Sequence, residues 1–166
     1  MVIIHKCHEN DQLAAKQLIT RILKEEFPKE ISAFHLEDLD NISRSYGKLG
    51  EAFFVASNNG HIVGTVGIKQ EDERTALLRR LFVDPQFRRK KIGSQLVERA
   101  IQFCREVGYE ELIFKTTSTM KNAIRLCELK GFMQRTRLDV GPVQLVKFAL
   151  FLKNESVLPH TKTVSS

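Results

Sequence analysis

The sequence predicts one α/β or α+β domain, a sheet with helices on both faces. Three observations carry this. Short runs with strand composition interleave with runs whose apolar positions recur at helical spacing, in the order β-α-α-β-β-β-α-β-α-β-β. The chain has 166 residues, the length of a single domain. It contains no internal repeat and no linker that would mark a second domain. The domain is expected over residues 1–153. Residues 154–166 (NESVLPHTKTVSS) lack periodicity and read as a tail.

Val2–Lys6 reads as a short strand. Asn10 or Asp11 caps a helix in which Leu13, Leu18, Ile22 and Phe27 recur at helical spacing. Pro28 ends it, because proline has no amide hydrogen to donate. A second helix is expected over residues 36–46, stopping near Gly47. Residues 51–57 have strand composition, and Asn59-Gly60 signals a tight hairpin into the strand His61–Gln70. A charged turn leads to the strand Thr75–Val83. Strict alternation places Ala76, Leu78, Arg80 and Phe82 on one face and Leu77, Arg79, Leu81 and Val83 on the other. Pro85 ends that strand. A helix over residues 93–107 buries Leu96, Val97, Ala100, Ile101, Cys104 and Val107, with Gly108 as its C-terminal cap. Residues 111–116 form a further strand. Ser118 or Thr119 caps a helix ending at Lys130, where Gly131 and Phe132 predict a Schellman-type ending. Strands over 134–139 and 144–153 finish the domain.

Composition narrows the class. Hydrophobic residues make up 42% and charged residues 28%, which excludes collagen-like and wholly disordered chains. The longest apolar stretch, from Val143 to Leu152, is broken by Gln144 and Lys147 and is too short for a membrane span. No secretory signal opens the sequence, so a soluble cytoplasmic protein is expected. Cys7, Cys104 and Cys127 are odd in number, far apart and without a CxxC pair, which argues against disulfides and structural zinc. His5, Cys7 and His8 invite a metal reading, but a strand would put His8 on the face opposite His5 and Cys7. No metal is expected. The net charge is +6, which suits an anionic partner without choosing one.

The charge clusters in Arg88-Arg89-Lys90-Lys91, between a strand and a helix that begins near Gly93. A helix start offers unpaired amides and partial positive charge, and four cations deepen that potential. Gly93 would let an anion approach the backbone with no Cβ in the way. The junction therefore predicts a phosphate or diphosphate cradle. The dinucleotide motif GxGxxG and the Walker pattern are both absent.

Val83-Asp84-Pro85, then Arg88-Arg89-Lys90-Lys91-Ile92-Gly93 and the helix after it, resemble the central motif of the GNAT superfamily of N-acetyltransferases, Arg/Gln-x-x-Gly-x-Gly/Ala. Residues 122–132, NAIRLCELKGF, resemble the family's later helix. The likeness runs over roughly residues 51–152. It implies an α/β fold with a mixed, largely antiparallel sheet of about six to seven strands and helices on both faces. It also implies acetyl-CoA as cosubstrate and a primary amine as acceptor. Leu81, Phe82 and Val83 would border the pantetheine and thioester. The segment Arg88, Arg89, Lys90, Lys91, Ile92, Gly93 and Ser94 would hold the diphosphate, and Asn122 the cofactor's thiol end or pantetheine arm. Edge strands of the family commonly pair between subunits, so a homodimer is compatible with it.

Three positions depart from the motif. Lys91 replaces its first glycine, Cys127 its frequent tyrosine, and Leu77 an acidic residue. Cys127 is the candidate general acid, with buried packing as the alternative. No base stands out; Glu71, Asp72, Glu73 and His35 are weak candidates. A non-catalytic acyl-CoA sensor would keep the cradle and lack acid and base. A nucleic-acid-binding module would use the basic loop, but no helix-turn-helix, zinc-finger or RRM signature accompanies it.

Overall fold

The computed structural model describes residues 1–152. The expected tail and residue 153 lie outside the described residues. A seven-stranded sheet has the order β1-β2-β3-β4-β5-β7-β6. Its strands are β1 (Val2–Lys6), β2 (Ala52–Asn58), β3 (His61–Gln70), β4 (Thr75–Val83), β5 (Glu111–Thr117), β6 (Met133–Val140) and β7 (Val143–Phe151). Only β4 and β5 run parallel; every other neighbouring pair is antiparallel. The mixed, largely antiparallel sheet is the expected one. The β2–β3 turn is the predicted hairpin, with Asn59 and Gly60 at φ of 52° and 85°.

Helix α1 (Gln12–Glu26) covers one face. Ala15, Leu18, Ile19, Ile22 and Leu23 seal it against Val55 and Phe82. Helices α3 (Ile92–Val107) and α4 (Lys121–Leu129) cover the other, over Phe54, Ile68, Leu78 and Phe148. Among the described residues, no helix is long and apolar enough to cross a membrane.

Helix α4 ends as its sequence predicts. The Phe132 amide donates to the Cys127 carbonyl and the Gly131 amide to that of Glu128, each at 3.0 Å, with Gly131 at φ 101°. Its start differs: Met120, not Ser118 or Thr119, occupies the cap position, and the Thr119 hydroxyl meets that of Thr117 at 2.9 Å.

Two further expectations are corrected. Residues 36–46 do not form one helix. Short 3-10 turns cover Ile31–Ala33 and Glu37–Asp40, and α2 is the single turn Ile42–Ser45. Asn41 causes the break. Its backbone leaves the helical region (φ −150°, ψ 85°), and its side chain accepts the Arg44 amide at 3.1 Å, so it restarts the chain as an N-cap.

The alternation of β4 also fails. Arg79 opposes Gly67 and Phe82 opposes Thr65, so Arg80 and Leu81 share the single partner Val66. This is a β-bulge, with Arg80 at φ 55°. Leu81 and Val83 thereby join Ala76 and Leu78 under α3, while Phe82 turns to the α1 side.

Candidate functional site

The bulge is held by a buried polar network. Arg80, 7% exposed, forms a two-pronged pair with Asp38: Nε to Oδ2 at 3.1 Å and Nη2 to Oδ1 at 2.8 Å. Its Nη2 also donates to the His35 carbonyl at 2.7 Å. The Tyr46 hydroxyl donates to Asp38 Oδ2 at 2.5 Å, and the Thr65 hydroxyl to the Arg80 carbonyl at 2.7 Å. Burial would raise the Asp38 carboxyl, but the hydrogen bonds from Arg80 and Tyr46 overcome it and hold the group below the usual carboxylate range. Burial, and the proton that Tyr46 gives to Asp38, push the phenol up.

Just before the bulge, β4 and β5 part. Their pairing runs from Thr75 opposite Glu111 to Leu78 opposite Phe114. Past that point an open cleft of about 500 Å³ lies between the strands and extends over β7 and β6. Phe34, Leu81, Phe82, Phe114 and Met120 line its apolar part. A second hollow of about 470 Å³ lies between α1 and the β2–β3 turn, near the Arg21–Asp84 ion pair. It includes no residue of β5. The first cleft is the one that opens where the strands part.

After Val83, Asp84 accepts the Gln86 amide at 3.0 Å and caps the 3-10 turn Pro85–Phe87. The basic segment then enters α3 with Arg89 and Lys91 both at φ 65°. Among the described residues, the amides of residues 89–94 donate to no carbonyl or side chain. They lie together at the positive end of a sixteen-residue helix, an arrangement that suits a diphosphate. Arg89, Lys90 and Lys91 are exposed around them. Arg88 is otherwise engaged: its Nε donates to the Val83 carbonyl at 3.2 Å and its guanidinium pairs with Glu26 at 3.1 Å. It braces the loop against β4 and α1.

Lys91 stands at the cap of α3 in the left-handed region, which explains why the motif prefers glycine there. Lys91→Gly is expected to raise stability by up to about 1 kcal/mol, since relief of the left-handed strain exceeds the added chain entropy. Urea unfolding measures this; a loss of stability would contradict it.

Gly93 also answers a packing constraint from another helix. A Cβ there would meet Leu126 Cδ1 of α4 at 2.4 Å. The glycine allows α3 and α4 to close on each other.

Asn122 is exposed in the first turn of α4, and its side chain forms no hydrogen bond among the described residues. Cys127 is fully buried, and burial pushes its thiol up to about 12. Asp72 accepts the amides of Arg74 and Thr75 at 2.9 and 2.8 Å, a turn-forming role that lowers its carboxyl. Glu71 pairs with Lys115 at 3.8 Å. His35 is exposed on the cleft wall.

The expected separation of His5 and His8 is corrected. The strand stops at Lys6, the chain turns, and the two rings stack 5.0 Å apart beside Asp11. Both ring nitrogens of His5 already have partners, the Lys6 carbonyl at 2.8 Å and the Ser57 hydroxyl at 3.2 Å. Sequence reasoning missed Asp38 and Tyr46 altogether. Arg80 within an apolar strand was the signal that a buried acid had to face it.

A parted sheet and a run of unpartnered amides at a helix start form an arrangement that suits a phosphate-bearing ligand. The description "Acetyltransferase (GNAT) family" matches residues 16–132, and the chain belongs to that family. Human N-acetyltransferase 8 is 36% identical over 101 residues, covering 57% of this chain and 44% of its own. "Probable N-acetyltransferase camello" of Xenopus tropicalis is 30% identical over 132 residues, 78% of this chain and 60% of its own. The chain thus spans about half the length of these curated relatives. A GNAT-family acetyltransferase from Staphylococcus aureus Mu50 superposes with a TM-score of 0.80 at 26% identity, covering 92% of this chain and all (100%) of that one. The yncA structure from Salmonella typhimurium, which holds acetyl-CoA, has the same fold, with a TM-score of 0.76 at 20% identity, covering 92% and 94% of the two chains.

Proposed function

We propose that this chain transfers the acetyl group of acetyl-CoA to a primary amine. One observation carries the reading: the amides of residues 89–94, which follow β4 a few residues beyond the point where its pairing with β5 ends, have no partner among the described residues. Those amides would hold the diphosphate, with Arg89, Lys90 and Lys91 adding charge. Leu81, Phe82 and Val83 would border the acyl end, and Asn122 would reach the carrier from α4. In the reaction the amine nitrogen bonds to the thioester carbon, the carbon–sulfur bond breaks, and the amine proton leaves with the thiol or to water.

The amine must attack in its neutral form. Among the described residues, no Asp or Glu lines the cleft, whereas Arg79, Lys115 and Lys147 do. Cations beside an ammonium disfavour its charge and so lower its pKa. We infer that this cationic wall, with water as proton acceptor, does what a carboxylate base does elsewhere.

Cys127 has no part in this chemistry, because it is sealed from the cleft. Cys127→Ala should cost about 1 kcal/mol in urea unfolding through lost packing, with kcat unchanged in the folded fraction. A fall in kcat beyond the loss of folded protein would restore the thiol as an acid.

The activity itself is tested by supplying acetyl-CoA with a panel of amines and following thiol release. Tight acetyl-CoA binding with no release across the panel would make the chain an acyl-CoA sensor instead.

A further inference from the structure

Three long cations stand in a row across neighbouring strands on the sheet face away from α3. Lys115 of β5 lies directly opposite Lys147 of β7. Arg79 of β4 follows Leu78, whose partner Phe114 immediately precedes Lys115, so it continues the row on the third strand. All three line the 500 Å³ cleft.

Such a row is costly by itself. Like charges directly opposite each other in an antiparallel pair repel. Compensation nearby is thin. Asp38 has both carboxylate oxygens engaged by Arg80, and one also accepts from Tyr46. Glu71 reaches Lys115 only at 3.8 Å, from outside the cleft lining. Among the described residues, Arg79 and Lys147 form no ion pair. Thr136, opposite Lys147 on β6, adds a hydroxyl to the same wall. The phosphate-binding amides of residues 89–94 belong to a different segment, so this second positive patch is not needed for the diphosphate.

From this we infer that the acetyl acceptor is an amine that carries a carboxylate, as an amino acid does, and that Lys147, Lys115 and Arg79 bind that carboxylate. The proposal rests on the acetyltransferase reading and names its acceptor class. The same field that attracts the carboxylate keeps the neighbouring amine neutral, so one patch serves binding and reactivity together.

The test uses matched acceptor pairs, α-amino acids and their α-carboxamides, with wild-type protein and Lys147→Glu. Acetyl-CoA affinity is measured separately by calorimetry. In the wild type, kcat/KM should favour the acids at least tenfold. Lys147→Glu should erase that preference, leave acetyl-CoA affinity unchanged, and raise the melting temperature, because it turns a repulsive cross-strand pair into an attractive one. Equal use of acids and amides, or a preference that survives the substitution, would overturn the proposal while leaving the transferase reading intact. If acetyl-CoA fails to bind, the transferase reading falls by itself. The carboxylate site is then judged by titrating N-acetylglycine and its amide and following the backbone NMR signals of residues 115 and 147. Shifts with the acid alone would support the site, and no difference between the two would end it.

Discussion

Asp38→Ala is expected to be the most damaging single substitution in the described domain. It leaves Arg80, 7% exposed, with its charge uncompensated inside the protein. Breaking a buried pair in this way costs roughly 3–5 kcal/mol, and the slight exposure of Asp38 argues for about 3. Tyr46 would lose its acceptor as well. Asp38→Asn should cost clearly less, because the amide oxygen still accepts from one partner. Urea unfolding of both variants checks the ranking; a loss below about 1 kcal/mol for Asp38→Ala would show that Arg80 finds water or another acceptor.

The same pair has a pH signature. The folded Asp38 carboxyl lies below its unfolded value of about 3.9. Its contribution is therefore complete above that value and is lost as the pH falls through the lower folded one. Wild-type stability should decline on acidification below about pH 4 more steeply than that of Asp38→Asn, which has no carboxyl to protonate there.

Gly93→Val should lower both stability and acetyl-CoA affinity, and the route by which it does so is decidable. A Cβ at this position falls 2.4 Å from Leu126 Cδ1, with Val83 Cγ2 at 3.4 Å. Overfilling of this kind costs typically 1–3 kcal/mol, and we expect about 2 here. The first turn of α3 would move, and with it the amides that are to hold the diphosphate. Adding Leu126→Ala removes the obstructing carbon atoms, so the double variant should recover both properties to a large extent. The two substitutions are in contact, and their effects should be strongly non-additive. If stability returns while acetyl-CoA affinity stays low, the new side chain blocks the ligand directly, and the absence of a Cβ serves the anion as well as the helix packing.

Much of the architecture was legible because it is written in local chemistry. Asn59-Gly60 specifies a hairpin, Gly131-Phe132 a helix ending, and Pro85 after an apolar strand a strand-to-helix junction. The basic run beside Gly93 pointed to the amides that the fold does leave free. Lys91 could even be recognised as strained, since its place in the motif belongs to a glycine and its φ is 65°.

What the sequence could not reveal depended on residues far apart in the chain. Period-two alternation assigned Arg80 to the wrong neighbours, because a bulge adds a residue to one strand only and the groups that hold this one, Asp38 and Thr65, lie elsewhere in the chain. The Arg80–Asp38 pair spans 42 residues, and nothing local in either segment selects the other. Gly93 illustrates the same limit, since the atom that excludes a Cβ belongs to Leu126 on another helix. The depth at which Cys127 lies was equally invisible in its own segment, because the packing of α4 on the sheet sets it. The row of Arg79, Lys115 and Lys147 existed in the sequence only as three isolated cations. Local propensity and motif spacing determined most of the elements, their order and the basic strand-to-helix junction before α3. Strand register and burial decided which charges meet, because both are set by the pairing of segments that the chain brings together only on folding.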